Sequence, residues 1–306
     1  MNRLFRFWFG EVDARPFAAV RMTVAGAGIF LWFGTVRTLL RYYSDAGEFP
    51  IEAARGWSSE WVARFAMPDW LGAPAAVGVL SAVQLFFLIT LLLGYRVRTS
   101  AVVTAILAQW FCFRNPILAN GGDEILRLLT LSLAVAYVAV PELSGIWSLD
   151  GRRKSRTEER IPAWPLRLIQ IQIVIVYTEA GYWKLVGDPW YTGDALYLAL
   201  GNQTFTRFGV PAWAGLQTPF TVATLAITLW EALFALLVIF PHTRRAALVF
   251  GVILHLGILA FMNIGVFPVV MLAAYPAFLA GREVEALAAW AGRWAGWFRR
   301  AFSSAT

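Results

Sequence analysis

The sequence predicts an all-α fold, a polytopic transmembrane bundle of about eight helices, and three observations carry that reading. The 306 residues are 59% hydrophobic and only 15% charged, and the mean hydropathy is +0.60. Apolar runs of about 18–22 residues, each able to cross a hydrocarbon layer about 30 Å thick, recur along most of the chain. The single cysteine, Cys112, lies inside one of these runs, so no intrachain disulfide framework exists. Disordered, fibrous and disulfide-stapled classes are excluded on the same composition. The net charge of +7 would suggest nucleic acid in a soluble chain. In a membrane chain it reads as cationic loops against anionic headgroups, and no nucleic-acid partner is expected.

The start, MNRLFRFWFGEVDARP, has arginines and aromatics but no apolar core before Glu11 and Asp13, so it reads as an interfacial amphipathic segment and not a cleavable signal. The predicted spans are 17–40, 73–94, 100–116, 124–141, 163–184, 218–240, 246–263 and 264–280. The last two are separated only by a tight turn at Asn263, Ile264 and Gly265, and a ninth span remains open. With the N-terminus inside, 16 cations fall on the cytoplasmic side, including the run Arg152, Arg153, Lys154, Arg156 and Arg160, against 6 outside. The positive-inside rule then places both termini in the cytoplasm of a cell inner (plasma) membrane protein.

Residues 1–280 form the predicted bundle, with two long loops, 41–72 and 185–217, capping its outer face. Residues 281–306 form an amphipathic interfacial tail, in which Ala286, Trp290, Trp294 and Trp297 share one stripe. These tryptophans read as an aromatic belt. Membrane lipids are thus expected partners.

Ionisable groups at membrane depth pair, snorkel or do chemistry. In the fifth span Gln170, Tyr177 and Lys184 recur every seven residues on one face, while Gln172 and Glu179 lie on another. Lys184 is one of only two lysines among 26 cations. An arginine would serve for charge alone, whereas a desolvated lysine can yield its proton near neutral pH. It is either a base or a snorkelling lysine paired with Glu179 or Asp188. Glu231 falls in the sixth span and His255 in the seventh. The only other histidine, His242, is at the cytoplasmic end beside Arg244, so no histidine metal site is expected. The expectation is that at least two of Arg21, Glu179, Glu231 and His255 contact each other or Lys184, since an unpaired buried charge costs several kcal/mol. Asn115, Asn120, Asp123 and Glu124 join the third and fourth spans on the outer side. The carboxylates either begin the fourth helix or line one pocket with Lys184.

These segments resemble a known family, the horizontally transferred transmembrane (HTTM) domain, which includes the vitamin K-dependent gamma-glutamyl carboxylase. The matching residues are Trp147 to Gly151, Tyr177, Ala180 to Leu185, Trp190 to Gly193 and Glu231 ahead of Arg244. The most specific stretch runs from His255 through Gly265-Val266-Phe267 to Val270-Met271-Leu272-Ala273. The order is the family's across residues 15–280. The resemblance implies a multispanning, lyase-type enzyme in which Lys184 is the base toward a reduced, vitamin K-like quinone. Oxygenation with O2 then yields a base that removes a glutamate γ-proton, and the carbanion captures CO2. With Lys184 as the base toward the quinone, the ionisable residues read above add Asp123, Glu179 and Glu231 as catalytic candidates near the exoplasmic face. Asn115, Asn120, Tyr177, Trp183, Trp190, His255, Phe267 and Met271 are the candidates for binding substrate or quinone. The chain departs from the carboxylase in the loop entering the fourth span, which reads Asn120-Gly121-Gly122-Asp123 where the carboxylase carries a histidine. Two further readings stand beside it: maturation of a small secreted peptide or toxin, with the peptide or a membrane protein as partner, and a non-catalytic lipid- or quinone-binding scaffold.

Overall fold

The computed structural model describes residues 2–153, 160–208 and 215–303. Lys154 and Arg156 of the predicted basic loop, and the side chains of Trp294 and Trp297, lie outside the described residues. In chain order the elements are α1 (Arg3–Phe9), β1 (Glu11–Asp13), α2 (Arg15–Thr35), α3 (Leu39–Tyr43), α4 (Ile51–Gly56), α5 (Glu60–Ala66), α6 (Pro74–Leu93), α7 (Val97–Arg114) and α8 (Gly121–Ala139). There follow β2 (Arg160–Pro162), α9 (Trp164–Val186), α10 (Asp188–Tyr191), α11 (Ala195–Gly201), α12 (Gln217–Ile239), α13 (Pro241–Phe261), α14 (Phe267–Ala274) and α15 (Gly281–Ser303).

Local chemistry sets the boundaries. Proline in the first turn opens α2, α6, α9, α13 and α14, where its missing N–H and fixed φ fit the first helical turn. Gly94, at φ +72°, ends α6 in the left-handed conformation. A reciprocal cap of Asn120 and Asp123 starts α8. Between α13 and α14 the chain is extended or turned from Met262 to Val266, a longer link than the tight turn expected there.

Among the described residues, four helices are long and apolar enough to cross a membrane: α2, α6, α12 and α13. Helices α7, α8 and α9 match predicted spans in position but carry more polar residues, and these bond to one another or to α6. Gln172 donates to Ser132 Oγ at 2.7 Å, Arg127 to Gln109 Oε1 at 2.7 Å, and the Thr90 and Ser100 hydroxyls meet at 2.9 Å. Such interhelical hydrogen bonds hold membrane helices together where water cannot compete. The last predicted span contains only a short apolar helix, Phe267–Phe278. Val270, Met271 and Ala274 on it are fully buried, so it fills the bundle core.

The loops gather at two ends. At one, β1 pairs antiparallel with β2, Val12 opposite Ile161, the single strand ladder among the described residues. The same end holds Arg15 between Asp13 and Glu285, and Arg245 against Glu283, fastening the start of α15. At the other end α3 to α5 form a cap. Arg114 donates to the Phe49 carbonyl at 3.0 Å, and Asn115 to that of Tyr42 at 2.7 Å. Nearby, Asn263 N–H donates to the Phe205 carbonyl at 2.6 Å.

Candidate functional site

Helices α9 and α12 cross at Gly181. A Cβ there would lie 2.4 Å from the Ala232 backbone nitrogen, so the side chain must be absent for the helices to approach this closely. One turn further along α9, Lys184 consequently meets Glu231 of α12 in a direct ion pair. The two side chains are 17% and 10% exposed. The Trp190 ring, on α10, covers the ammonium with its centroid 4.7 Å from Nζ, a cation–π contact that strengthens as water is excluded.

Two turns deeper on the same face of α9, Tyr177 is buried against Trp230 and Phe234, with ring centroids 4.9 and 4.1 Å away. Its hydroxyl lies 2.6 Å from His255 Nε2 and 2.7 Å from the Tyr275 hydroxyl. Gly251, one turn before His255, makes this junction possible, because a Cβ at that position would stand 1.9 Å from the Tyr275 oxygen. The His255 ring also contacts Phe267 at 5.8 Å. Met271 is fully buried in the same core. The structure therefore brings Lys184, Glu231 and Trp190 together, with Tyr177, His255 and Phe267 beneath them.

Several predicted members are elsewhere. Glu179 is exposed, because two residues along a helix from Tyr177 turn the side chain about 200° away from the buried face. Trp183 is 62% exposed for the same reason of phase and does not wall in the lysine. Arg21 is fully buried but donates to the Trp147 carbonyl at the opposite end. At least two of Arg21, Glu179, Glu231 and His255 were expected to join each other or Lys184, and only Glu231 does so; His255 hydrogen-bonds to tyrosine instead.

Asn115, Asn120 and Asp123 line a separate cavity of about 510 Å³ between α2, α6, α7 and α8. Neither Lys184 nor Glu231 is among the described residues that line it. Tyr43 of α3 faces this cavity, and burial, reinforced by the Asp123 carboxylate, pushes its phenol above the ordinary tyrosine range. It is therefore a neutral hydroxyl. Tyr275 was not singled out in the sequence, where a lone tyrosine in the last apolar stretch was the available signal. Gly181 entered only within the matching stretch Ala180 to Leu185, without a role in helix packing.

The HTTM domain profile matches residues 29–281. Sporulation-delaying protein SdpB of Bacillus subtilis (strain 168) is 24% identical over 190 residues, which are 58% of this chain and 56% of SdpB. The chain thus spans little more than half the length of that relative. No solved structure matches the chain significantly.

Proposed function

This chain belongs to the HTTM-domain family, and from that premise we propose an integral-membrane enzyme of vitamin K-dependent-carboxylase-like type, with Lys184 as base and Glu231 as its proton partner. The observation that supports this most directly is the ion pair itself, roofed by an aromatic ring. An ammonium is not a base until it loses a proton. Passing one proton from Nζ to the Glu231 carboxylate leaves an amine and a carboxylic acid, both neutral, so no net charge appears in a poorly solvated site. The amine can then take a proton from a substrate O–H, and the acid can return one to the product.

A quinol fits this donor set: a base for its hydroxyl and the Trp190 face for its ring. When bound, a reduced quinone supplies the acidic O–H and, with O2, the means to activate a glutamate for CO2. The reading includes eight spans, both termini cytoplasmic, and a site near the exoplasmic face of the plasma membrane. A secreted peptide or a partner membrane protein would bring the substrate. A maturation component for a small secreted peptide or toxin would use the same pair. The non-catalytic scaffold is favoured by a different aspect of the same observation, since a lysine held by Glu231 is already neutralised.

Lys184→Arg separates the enzyme from the scaffold. It retains the charge and the pair but not the accessible proton transfer. Membranes containing the variant should show normal insertion and a loss of roughly 100-fold or more in quinol-dependent turnover or labelled CO2 uptake into glutamate peptides. Full turnover in the variant, or none in the parent, would leave the scaffold.

A further inference from the structure

Two arginines stand at one level of the end that carries β1 and β2. Arg167 is in the first turn of α9 and Arg244 in the first turn of α13. The Tyr177–His255 hydrogen bond of 2.6 Å fixes the register of these two helices. Arg167 lies ten residues before Tyr177 and Arg244 eleven before His255, so at 1.5 Å per residue both sit about 15–17 Å from that bond. At this common level the two guanidinium charges are near enough to repel each other.

Neither arginine has a carboxylate of its own among the described residues. Glu11 is bonded to Arg160, and Asp13 and Glu285 to Arg15. Glu283 is bonded to Arg245 and to the Ala280 N–H, and Arg244 feels it only at longer range. Arg167 Nη1 donates to Gln170 Oε1 at 2.7 Å, and Gln170 in turn donates to the Ala277 carbonyl at 2.6 Å. Arg167 Nε reaches the Phe7 carbonyl at 3.4 Å, and the Phe7 ring centroid lies 4.7 Å from the guanidinium carbon. These neutral partners orient the group without cancelling its charge. The Arg244 side chain is half-buried and has no hydrogen bond among the described residues. A cation in a first turn also opposes the helix dipole, so both positions favour an anion.

Apolar side chains surround this level. Leu4, Phe5 and Phe9 of α1 are exposed beside Phe7, and Ile239 and Phe240 are exposed where α12 turns into α13. Cations next to exposed apolar and aromatic groups suit the boundary between headgroups and acyl chains, and a basic pocket between spanning helices suits a lipid phosphate. We propose that Arg167 and Arg244 hold the phosphodiester of an anionic phospholipid from the leaflet at this end, with its acyl chains against the apolar side chains of α1. The two free phosphate oxygens can accept from both guanidinium groups. A choline headgroup brings its own cation to the same place, so phosphatidylcholine is the natural control. The proposal does not depend on Lys184 being a base.

The test is native mass spectrometry of the full chain in detergent, titrated separately with phosphatidylglycerol and phosphatidylcholine, with glycerol phosphate as a soluble competitor. Phosphatidylglycerol should bind about tenfold more tightly than phosphatidylcholine, as expected for charge-assisted hydrogen bonds. Arg244→Gln, which breaks no bond among the described residues, should cut that preference to about twofold, and Arg244→Lys should give an intermediate value. Arg98→Gln removes a cation at the same end but on α7, and should leave the preference unchanged. Glycerol phosphate in tenfold excess should not displace the lipid. Equal binding of the two lipids, a preference unchanged in Arg244→Gln, the same loss in Arg98→Gln, or displacement by glycerol phosphate would overturn it.

Discussion

Arg21 and the Lys184–Glu231 pair are two solutions to the same problem, a charge inside an apolar bundle. Arg21 is wholly buried on α2. Its Nη2 donates to the Trp147 carbonyl at 2.6 Å, while Nε and Nη1 have no hydrogen-bond partner among the described residues. Trp147 meets it from a left-handed backbone, φ +47°, a conformation that a bulky residue holds only when its surroundings enforce it. Lys184, by contrast, faces a carboxylate and an aromatic ring and retains some exposure. A guanidinium cannot lose its proton in a protein, so Arg21 can only hold structure. An ammonium beside a carboxylate can exchange one, so the Lys184–Glu231 pair, unlike Arg21, has a proton to give.

The largest effect should come from the arginine. Arg21→Ala removes a buried volume and frees the strained Trp147 turn, and should destabilise by about 3–4 kcal/mol in thermal unfolding of the solubilised protein. Arg21→Met, which keeps most of the volume, should recover more than half of that. A loss below about 1 kcal/mol for the alanine variant would mean that Arg21 does not organise its end of the bundle.

The pair should respond differently. Glu231→Ala leaves the lysine partly buried and alone, at about 2 kcal/mol after discounting its partial exposure. The double variant Lys184→Met, Glu231→Leu should restore most of this, because removing both partners strands neither. A double-mutant cycle with no coupling would place the two groups apart in solution and break the contrast with Arg21.

The smallest effect concerns the end that carries α15. Arg15 beside Asp13 holds its carboxyl below the usual aspartate range, and the Ala280 N–H does the same for Glu283. Each folded-state value lies below the unfolded one. Their contribution is therefore full above the unfolded values of about 4 and is lost as pH falls through the folded ones. Hydrogen exchange in residues 281–292 should rise between pH 5 and 3, and Asp13→Asn should flatten part of that dependence. The change stays under about 1 kcal/mol, as for other exposed pairs.

Much of the architecture was legible because hydropathy and length are local properties: α2, α6, α12 and α13 stand where the apolar runs do. The strand ladder was not, since three residues at Glu11–Asp13 find partners only at Arg160–Pro162, and neither segment has an alternating pattern long enough to notice. Within the site, the heptad spacing of Tyr177 and Lys184 correctly put both on one face. The same counting put Glu179 on another face, and in the structure that position is exposed. Glu231 could be flagged as an ion in a span, but its choice of Lys184 depends on a helix crossing set by Gly181, which no sequence periodicity encodes.

The ladder between β1 and β2 also bears on biosynthesis. Val12 leaves the ribosome about 150 residues before Ile161, and at about 5–20 residues per second its partner arrives roughly 8–30 s later. Through that interval β1 has no strand to pair with, and seven helices, α2 to α8, are made in the meantime. Pairing then ties the start of the chain to the segment leading into α9, where Ala163 N–H donates to the Gly10 carbonyl at 2.8 Å. The clasp can close only once the helix bearing Lys184 is about to be made, so it ties the first half of the bundle together midway through synthesis, before α9 to α15 exist.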